Sequence, residues 1–468
     1  MHKLPTVLEE IVSSRRQHLA EIQQRIAHVD RAQLPASTRS LYQNLRANNK
    51  PHFIMECKSA SPSLGLIRKH YQPGDIARIY SQYAAGISVL CEPERFGGDY
   101  DHLATVASST HLPVLCKDFI IDDIQIYAAR YFGADAILLM LSVLDDATYT
   151  RLATLAHSLG LDILTEVINK KEVERAIALG ATIVGINHRN LHDLSIDLSR
   201  SGELAQLLPK ETVVIAESGI RDNATVRALS GYVDGFLVGS QLTSQPDIDR
   251  AVRKLIYGTT KICGLTSDSA AQVARAVGAI YGGLIFEEAS PRNVSRETSQ
   301  KIIAAEPGLD YVAVSRRTKN WHELIQPGIV AIQVHAPYQG SLEKEQALIT
   351  QVRSEVDTEV ELWRALSFDS FHDPAIIASS LLDSVDKLVL DNGAGGTGKS
   401  FNWSHIPADL APHILLAGGI GIDNIDAALA IGAAGVDINS GVEYPNQPGY
   451  KDAGAIHRLF SHIRRFHK

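Results

Sequence analysis

Residues 136–187, AILLMLSVLDDATYTRLATLAHSLGLDILTEVINKKEVERAIALGATIVGIN, contain three short apolar runs, which read AILLML, DILTEV and TIVGIN. The longer stretches between them, such as KKEVERAIALGA, carry apolar residues at helical spacing. Alternating strand-like and helix-like units of this size predict parallel strands joined by crossover helices. This stretch therefore assigns the chain to the α/β class.

The same alternation extends along the chain in both directions. Eight strand-like runs lie between Phe53 and Ser240, and they read FIMECK, ISVLCE, LPVLCK, AILLML, DILTEV, TIVGIN, VVIAES and GFLVGS. Eight more follow, and they read TKICGL, GGLIFE, YVAVS, VAIQVH, ELWRAL, KLVLD, ILLAGG and GVDINS. Because eight consecutive βα units close on themselves, the sequence predicts two tandem (β/α)8 TIM barrels. A doubly wound domain followed by a repeat array would need a glycine fingerprint or a fixed repeat period, and the sequence has neither.

The join between the barrels is predicted at Gly258. There DIDRAVRKLIYG reads as a helix that ends in glycine, and a strand-like run follows almost at once. We therefore expect one barrel at residues 1–258 and the other at 259–468. The first carries an N-terminal helical extension, whose apolar residues recur at helical spacing from Val7 to Ile26. This extension could close one end of the barrel or cover its site.

Composition limits the classes of partner. The chain has 45 Lys and Arg against 53 Asp and Glu, a net charge of -8, which argues against a nucleic-acid or anionic-membrane surface. Its 4 cysteines form no CxxC pair, so neither a disulfide framework nor a zinc site is indicated. No apolar run reaches the roughly 18 residues of a membrane span. We expect a cytoplasmic monomer acting on small molecules.

Polar residues stand where the apolar runs of the first half stop. In a (β/α)8 barrel the strand ends carry the catalytic groups, so these residues should meet in one mouth. The alternative for any single one of them is a charge that faces solvent. The ESGI and VGS segments add small residues whose backbone N–H groups could bind a phosphate. The strand-end residues are Glu56, Lys58, Lys117, Glu166, Asn187, Arg189, Glu217 and Ser218.

These motifs resemble the indole-3-glycerol phosphate synthases over essentially all of residues 1–258. The resemblance is carried by ECK with SPS at 56–63, LCKDF at 115–119, LTEV at 164–167, GINHRNL at 185–191, ESGI at 217–220 and GS at 239–240. It implies that Lys117 is the general acid at the substrate carbonyl, that Glu166 is the general base in dehydration, and that Lys58 meets the anthranilate carboxylate. It further implies orienting roles for Glu56, Asn187 and Glu217, and substrate contacts by Ser61, Phe96, Phe119, Arg189, Ser218, Gly219, Gly239 and Ser240.

Among these contacts, Phe96 and Phe119 are expected to sandwich the anthranilate ring, because an aromatic ligand needs apolar faces. Ordinary core packing is the alternative for both rings. The sequence departs from the usual pattern of the family at Ser59 and Leu64, where lysines are common. The loop electrostatics at these two positions should differ accordingly.

The second half places a thiol, Cys263, at the end of its first strand-like run. Arg292, His335 and Asp391 follow later runs. A thiol base and a carboxylic acid facing each other across a mouth suit an isomerisation that removes one proton and donates another. A buried, inert cysteine is the alternative.

These segments resemble the phosphoribosylanthranilate isomerases over roughly residues 259–460. The resemblance implies that Asp391 protonates the ribose ring oxygen, that Cys263 removes the C2′ proton, and that Arg292 meets the anthranilate carboxylate. His335 is expected at the substrate, and the phosphate is expected at Gly418, Gly419, Ser440 and Gly441. Departures from the usual pattern are Ser315, Glu287–Glu288 and the APY segment at 336–338.

Residues 393–400, GAGGTGKS, match the P-loop pattern and follow a strand-like run. A P-loop must open directly into a helix, however, and the FNWSHIP segment that follows does not read as one. A glycine-rich loop beside Asp391 is therefore the better interpretation.

The expected function is two successive steps, an Amadori isomerisation in the second barrel and an indole-forming ring closure in the first. Neither step requires a metal or an organic cofactor. Three alternatives remain open at this point. They are a Schiff-base aldolase using Lys117, a P-loop nucleotide hydrolase or kinase, and a second half that is a pseudoenzyme or a metabolite-binding module.

Overall fold

A computed structural model describes residues 6–47, 51–190, 194–367, 374–391, 403 and 406–466. The chain divides into two compact units, which meet in sequence between Val252 and Arg253. Each unit contains a closed barrel of eight parallel strands. The predicted pair of tandem (β/α)8 barrels is confirmed.

The first barrel closes in the order β1-β10-β9-β8-β7-β6-β5-β4. A short antiparallel hairpin, β2–β3, follows β1. Both faces of the barrel strands are covered, which is why runs such as AILLM are apolar throughout. The strands are His52–Cys57 (β1), Ala60–Ser61 (β2), Gly65–Leu66 (β3), Gly86–Leu90 (β4), Val114–Lys117 (β5), Ala136–Met140 (β6), Asp162–Val167 (β7), Ile183–Asn187 (β8), Val213–Glu217 (β9) and Gly235–Val238 (β10).

Several helices of this unit begin at capping residues that the sequence makes recognisable. Asp122 and Gln125 form a reciprocal capping box at one helix, and Asn169 caps another. The helices are Thr6–Arg25 (α1), Leu41–Arg46 (α2), Pro73–Tyr80 (α3), Pro93–Phe96 (α4), Tyr100–Ser109 (α5), Asp123–Tyr131 (α6), Asp146–Ser158 (α7), Lys170–Ala178 (α8), Ser199–Ala205 (α9), Asn223–Leu229 (α10), Ser240–Thr243 (α11) and Ile248–Tyr257 (α12).

Two N-terminal helices pack on the first barrel in different places. Helix α2 covers the amino ends of the strands, where Leu41 and Leu45 are fully buried and Asn44 donates to the carbonyl of Ala85, just before β4. Helix α1 lies at the carboxyl ends, because Leu8 and Ile11 line the cavity there. The extension therefore covers the mouth, while α2 closes the opposite end.

The second barrel closes in the order β11 to β18. Its strands are Thr259–Cys263 (β11), Tyr281–Ile285 (β12), Asp310–Ser315 (β13), Ile329–Val334 (β14), Glu361–Ser367 (β15), Lys387–Asp391 (β16), Ile414–Leu416 (β17) and Gly435–Ile438 (β18). Its helices are Asp268–Val277 (α13), Arg296–Ala305 (α14), Leu342–Ser354 (α15), Pro374–Leu381 (α16), Ile425–Ala430 (α17) and Ala453–Arg465 (α18). A 3-10 turn, Trp321–Leu324, stands between β13 and β14.

The loop after β14 is held by a buried ion pair. Arg364 on β15 binds Glu345 on α15 through two contacts of 2.8 and 2.9 Å, and neither side chain is exposed. The same guanidinium donates to the carbonyls of Val334 and Ala336. This network fixes the backbone beside His335. Over the described ranges, no helix combines the length and the apolarity that a membrane crossing needs.

Candidate active sites

A cavity of about 840 Å³ opens at the carboxyl ends of the first barrel's strands. All but one of the site residues predicted for this barrel line it; the exception, Glu217, lies behind Lys117. The lining includes Glu56, Lys58, Ser61, Phe96, Lys117, Phe119, Glu166, Asn187, Arg189, Ser218, Gly219, Gly239 and Ser240.

Two lysines and two glutamates form a connected charge network in this cavity. The Lys117 Nζ lies 3.0 Å from the Glu217 Oε2 and 3.3 Å from the Glu56 Oε2. The Lys58 Nζ lies 2.5 Å from the Glu56 Oε1. Burial alone would raise the pKa of Glu56, but Lys117 and Lys58 outweigh it and lower that pKa to about 2.

The network keeps Lys117 protonated. Burial opposes its charge, but Glu217, Glu56 and Glu166 together raise the pKa of Lys117 above its usual value. An ammonium group held in this way can donate a proton. It is a poor nucleophile for a Schiff base, because that reaction needs the neutral amine.

Glu166 has the opposite electrostatic environment. Burial and the neighbouring Glu217 raise its pKa to about 8, although Lys117 and a hydrogen bond from Asn187 favour the ionised form. The Asn187 Nδ2 donates to the Glu166 Oε1 over 3.1 Å. A carboxyl with a pKa near neutrality can both accept and donate protons.

The predicted phosphate residues stand on strained backbone. Ser218 has a φ of 68° and Gly219 a φ of 78°, so two successive residues at the end of β9 adopt the left-handed backbone conformation. His188 holds this turn, because its Nδ1 lies 2.9 Å from the Ser218 carbonyl and its Nε2 lies 2.7 Å from the Ser201 hydroxyl. The next strand end supplies Gly239, the N-cap of α11.

Phe96 and Phe119 lie side by side on one wall of the cavity. Their ring centroids are 6.1 Å apart and the planes are tilted by 35°. That spacing is too short for a third ring between them, so the predicted sandwich of the anthranilate ring would require the two rings to move apart. Both rings line the cavity, and the Lys58 ammonium lies 6.0 Å from the Phe96 centroid.

Sequence reasoning missed a buried ion pair that anchors α1. The Arg15 Nη2 lies 2.5 Å from the Asp118 Oδ2, and the Tyr100 hydroxyl donates to the same oxygen over 3.0 Å. Asp118 directly follows Lys117, so this contact ties the extension to the carboxyl end of β5. The signal was present in the sequence: Arg15 falls on the apolar face of α1, 4 residues after Ile11.

In the second barrel, Cys263 lies beside a second missed cluster. The Lys261 Nζ lies 2.6 Å from both the Asp437 Oδ2 and the Gln333 Oε1 inside the barrel. Burial raises the pKa of the Cys263 thiol; Lys261 and Lys451 lower it, and Asp437 raises it further.

Arg292 is already paired with a carboxylate. Its Nε and Nη2 donate to the two carboxylate oxygens of Glu443, each over 2.8 Å. The Lys451 Nζ lies 2.9 Å from the Glu443 Oε1. Glu443 thereby fixes the plane of the guanidinium. Glu443 occupies the Nε and Nη2 edge of the guanidinium. The predicted contact between Arg292 and a substrate carboxylate would therefore use the other edge.

Asp391 ends β16 and faces His335. The His335 Nε2 lies 3.6 Å from the Asp391 Oδ2. Burial, then the charges of Lys261 and Arg364, lower the pKa of His335 to about 4, so the imidazole is neutral near pH 7 and this contact is not an ion pair there. The glycine-rich segment at 393–400 lies outside the described residues.

The predicted phosphate end of the second barrel also has left-handed backbone. Gly418 and Gly419 have φ angles of 89° and 65°. A Cβ on Gly441 would collide with the Ile420 carbonyl oxygen, so only glycine fits there. Ser440 begins the 3-10 turn Ser440–Val442. Within the described part of the chain, no three His, Cys, Asp or Glu side chains are grouped so as to hold a metal ion.

Two acid–base sites at the mouths of successive (β/α)8 barrels are typical of an enzyme with two activities in one chain. Residues 8–255 match the family described as Indole-3-glycerol phosphate synthase, and residues 260–462 match that described as N-(5′-phosphoribosyl)anthranilate (PRA) isomerase. The chain belongs to these two families, and it is a bifunctional enzyme of tryptophan biosynthesis, a decarboxylating lyase joined to an isomerase.

Similar proteins cover the whole chain. The "Tryptophan biosynthesis protein TrpCF" of Corynebacterium glutamicum is 63% identical over 473 residues, covering 100% of this chain and 99% of the relative. The protein of the same name from Yersinia pestis is 44% identical, covering 99% and 95%. The solved structure of phosphoribosyl anthranilate isomerase from Thermus thermophilus is 25% identical, covering 44% of this chain and 98% of that one, with a TM-score of 0.36.

The matches decide between the alternatives that the sequence left open. Both family resemblances are confirmed, and a pseudoenzyme second half finds no support. An aldolase and a nucleotide hydrolase likewise find no support in the matched families.

Proposed function

We propose that each reaction is carried out by the strand-end residues of its own barrel. The observation that carries this proposal is the charge network of the first mouth, in which Lys117 stays protonated while Glu166 has a pKa raised to about 8. A permanent acid and a tunable carboxyl, side by side, provide the two proton transfers that ring closure and dehydration need.

In the second barrel, Asp391 donates a proton to the ribose ring oxygen as the C1′–O bond breaks, leaving a protonated imine. The Cys263 thiolate then removes the C2′ proton, and the electron pair moves toward the imine nitrogen. The resulting enaminol tautomerises to the ketone product. Arg292, oriented by Glu443, binds the anthranilate carboxylate, and His335 assists beside Asp391. The phosphate lies against Gly418, Gly419, Ser440 and Gly441.

In the first barrel, the ring carbon that bears the carboxylate attacks the carbonyl carbon of that ketone, while Lys117 donates a proton to the carbonyl oxygen. Loss of CO2 restores the aromatic ring. Lys117, reprotonated from solvent, then donates a proton to the new hydroxyl, which leaves as water while Glu166 removes the proton of the neighbouring ring carbon. Lys58 binds the carboxylate, and the Phe96–Phe119 wall contacts the ring. Ser61, Arg189, Ser218, Gly219, Gly239 and Ser240 surround the phosphate.

We also propose a monomer in a reducing, cytoplasmic compartment, with a functional boundary between residues 258 and 259. The cysteine usage supports the compartment, because the 4 cysteines of the chain form no CxxC pair and no disulfide framework. The strand that starts at Thr259 supports the boundary.

The test uses reciprocal variants of the intact chain. Lys117→Ala should lower indole formation by about 100-fold or more and spare isomerisation. Cys263→Ser and Asp391→Asn should do the reverse, because the proposed sites share no residue. Lys170→Ala, an exposed lysine of α8, is the matched control. If a folded single variant lost both activities, the assignment of one site to each barrel would be wrong.

A further inference from the structure

A buried lysine lies beside Cys263 without any role in the mechanism above. Lys261 and Cys263 are two residues apart on β11, so both point to the barrel interior. A methyl group placed on Gly283 of the neighbouring strand would lie 2.7 Å from the Cys263 sulfur and 3.0 Å from the Lys261 Cε. The two groups also interact electrostatically, because Lys261 lowers the pKa of Cys263 and Cys263 raises that of Lys261, so each favours the charged form of the other.

The Lys261 ammonium is fixed in place. Its side chain has no exposed surface, and it binds the Asp437 carboxylate and the Gln333 amide oxygen, each over 2.6 Å. Burying a lysine is costly unless the charge is paired and hydrogen-bonded. Packing alone would be met by an apolar side chain of the same length, so a charge retained at this place suits a thiol that must ionise.

We propose that Lys261 is a positioning residue for the isomerase, whose ammonium, held by Asp437 and Gln333, stabilises the thiolate of Cys263. This inference rests on the proposed role of Cys263 as the base. The ammonium of Lys261, on the same strand as Cys263, stabilises the thiolate. Asp437 partly neutralises that ammonium and so destabilises the thiolate.

The other charges near Cys263 make the expected signs clear. Lys451, from the segment after β18, is a second cation that favours the thiolate, and Asp437 on β18 disfavours it. The thiolate also interacts with Arg292, after β12, which Glu443 partly neutralises. Removing Lys261 should therefore make ionisation of Cys263 harder, and removing the charge of Asp437 should make it easier.

The experiment measures kcat/KM for isomerisation against pH in the full chain, since this ratio reports ionisations of the free enzyme. We expect Lys261→Met to move the acidic limb of this pH profile, where the rate rises as Cys263 ionises, to higher pH. The rate at pH 7 should fall about tenfold for each pH unit by which the limb moves. Asp437→Asn should move the limb to lower pH. A merely structural role would not shift the limb in opposite directions for the two variants.

The matched control is Lys387→Met. Lys387 also stands on a strand of the second barrel and pairs with Glu361 over 2.6 Å, but it begins β16, at the end of the barrel away from Cys263. Its variant should keep the wild-type limb. The synthase rate of each variant, measured on the same chain, reports whether the rest of the protein is intact.

The outcomes separate this inference from the proposed function. If Cys263→Ser kept its isomerase activity, the role of Cys263 as the base would be wrong. If Cys263→Ser were inactive while Lys261→Met and Asp437→Asn both kept the wild-type limb, only the role of Lys261 would be overturned. Should Lys261→Met fail to fold, Asp437→Asn decides: a lower limb supports the proposal, and an unchanged or higher limb refutes it.

Discussion

Glu166 illustrates how two neighbours set the chemistry of one residue. Burial and then Glu217 raise its pKa to about 8, while Lys117 and the amide of Asn187 favour the ionised form. If ionised Glu166 is the base, kcat/KM of the synthase should rise with pH up to about 8 and then level off. Asn187→Ala removes the donor, so the rise should move to higher pH. If the pH profile of kcat/KM were unchanged in this variant, the ionisation that limits the rate would not be that of Glu166.

Gly185 on β8 is a second residue at which the structure makes a sharp prediction. A Cβ there would collide with the Oε1 of Glu217, whose other carboxylate oxygen, Oε2, pairs with Lys117. Gly185→Ala should displace Glu217 and lower the synthase rate on the order of tenfold to 100-fold, while isomerisation is spared. Gly202→Ala on α9 is the control, because its Cβ would meet only the Tyr232 ring, at 3.7 Å. Equal synthase rates in the two variants would contradict the steric argument.

At the residue scale, the sequence locates the polar strand-end groups of the mouth better than it identifies their partners. The position of Lys117 and Glu166 in the cavity could be predicted because strand ends in a barrel share one mouth. The pairing of Arg292 with Glu443 could not, because the two residues are 151 positions apart and the pairing depends on how the last loop folds back. Lys261 was missed for a related reason. A charge inside a strand-like run has no visible partner until β18 is placed beside β11.

At the scale of elements, the strand runs were predicted closely because a barrel strand is apolar on both faces. The two N-terminal helices were harder to place. The amphipathic pattern of α1 predicts that the helix packs on the barrel but not at which end. Only the position of Leu8 and Ile11 in the cavity lining shows that α1 lies at the mouth. The 3-10 turn Trp321–Leu324 between β13 and β14 also departs from the strict strand–helix alternation expected from the sequence.

Helix α1 should contribute to synthase function through its buried ion pair. Arg15→Met leaves Asp118 buried and without its cationic partner, which should cost about 3–5 kcal/mol of stability in the first unit. Because Asp118 follows Lys117, the KM for the synthase substrate should also rise, with the isomerase unaffected. Denaturant unfolding and steady-state kinetics measure both effects. Arg16→Met, at an exposed position of the same helix, is the control. If the Arg15 and Arg16 variants behaved alike, α1 would not be anchored through this pair.

At the scale of the whole molecule, the two barrels should be separable, because each closes with its own eight strands. Where to cut is the open question. The sequence suggests Gly258, whereas Arg253, in the middle of α12, already belongs to the second compact unit. Arg253 is almost fully buried and donates to the carbonyls of Ala279 and Gly308. Tyr257 packs on Phe460, with ring centroids 5.7 Å apart.

We therefore expect residues 1–258 to catalyse ring closure alone, and residues 247–468 to isomerise alone. A fragment of residues 259–468 should fold into the same barrel but be less stable than 247–468 by about 3–5 kcal/mol, the usual cost of losing a large buried side chain. Mixing 1–258 with 247–468 should restore the full conversion, because the isomerised product can diffuse between them. Urea unfolding of the two second-barrel fragments tests the stability difference, and separate assays test self-sufficiency. If either fragment folded yet stayed inactive until the other was added, a site shared by the two barrels would replace the model of two independent ones.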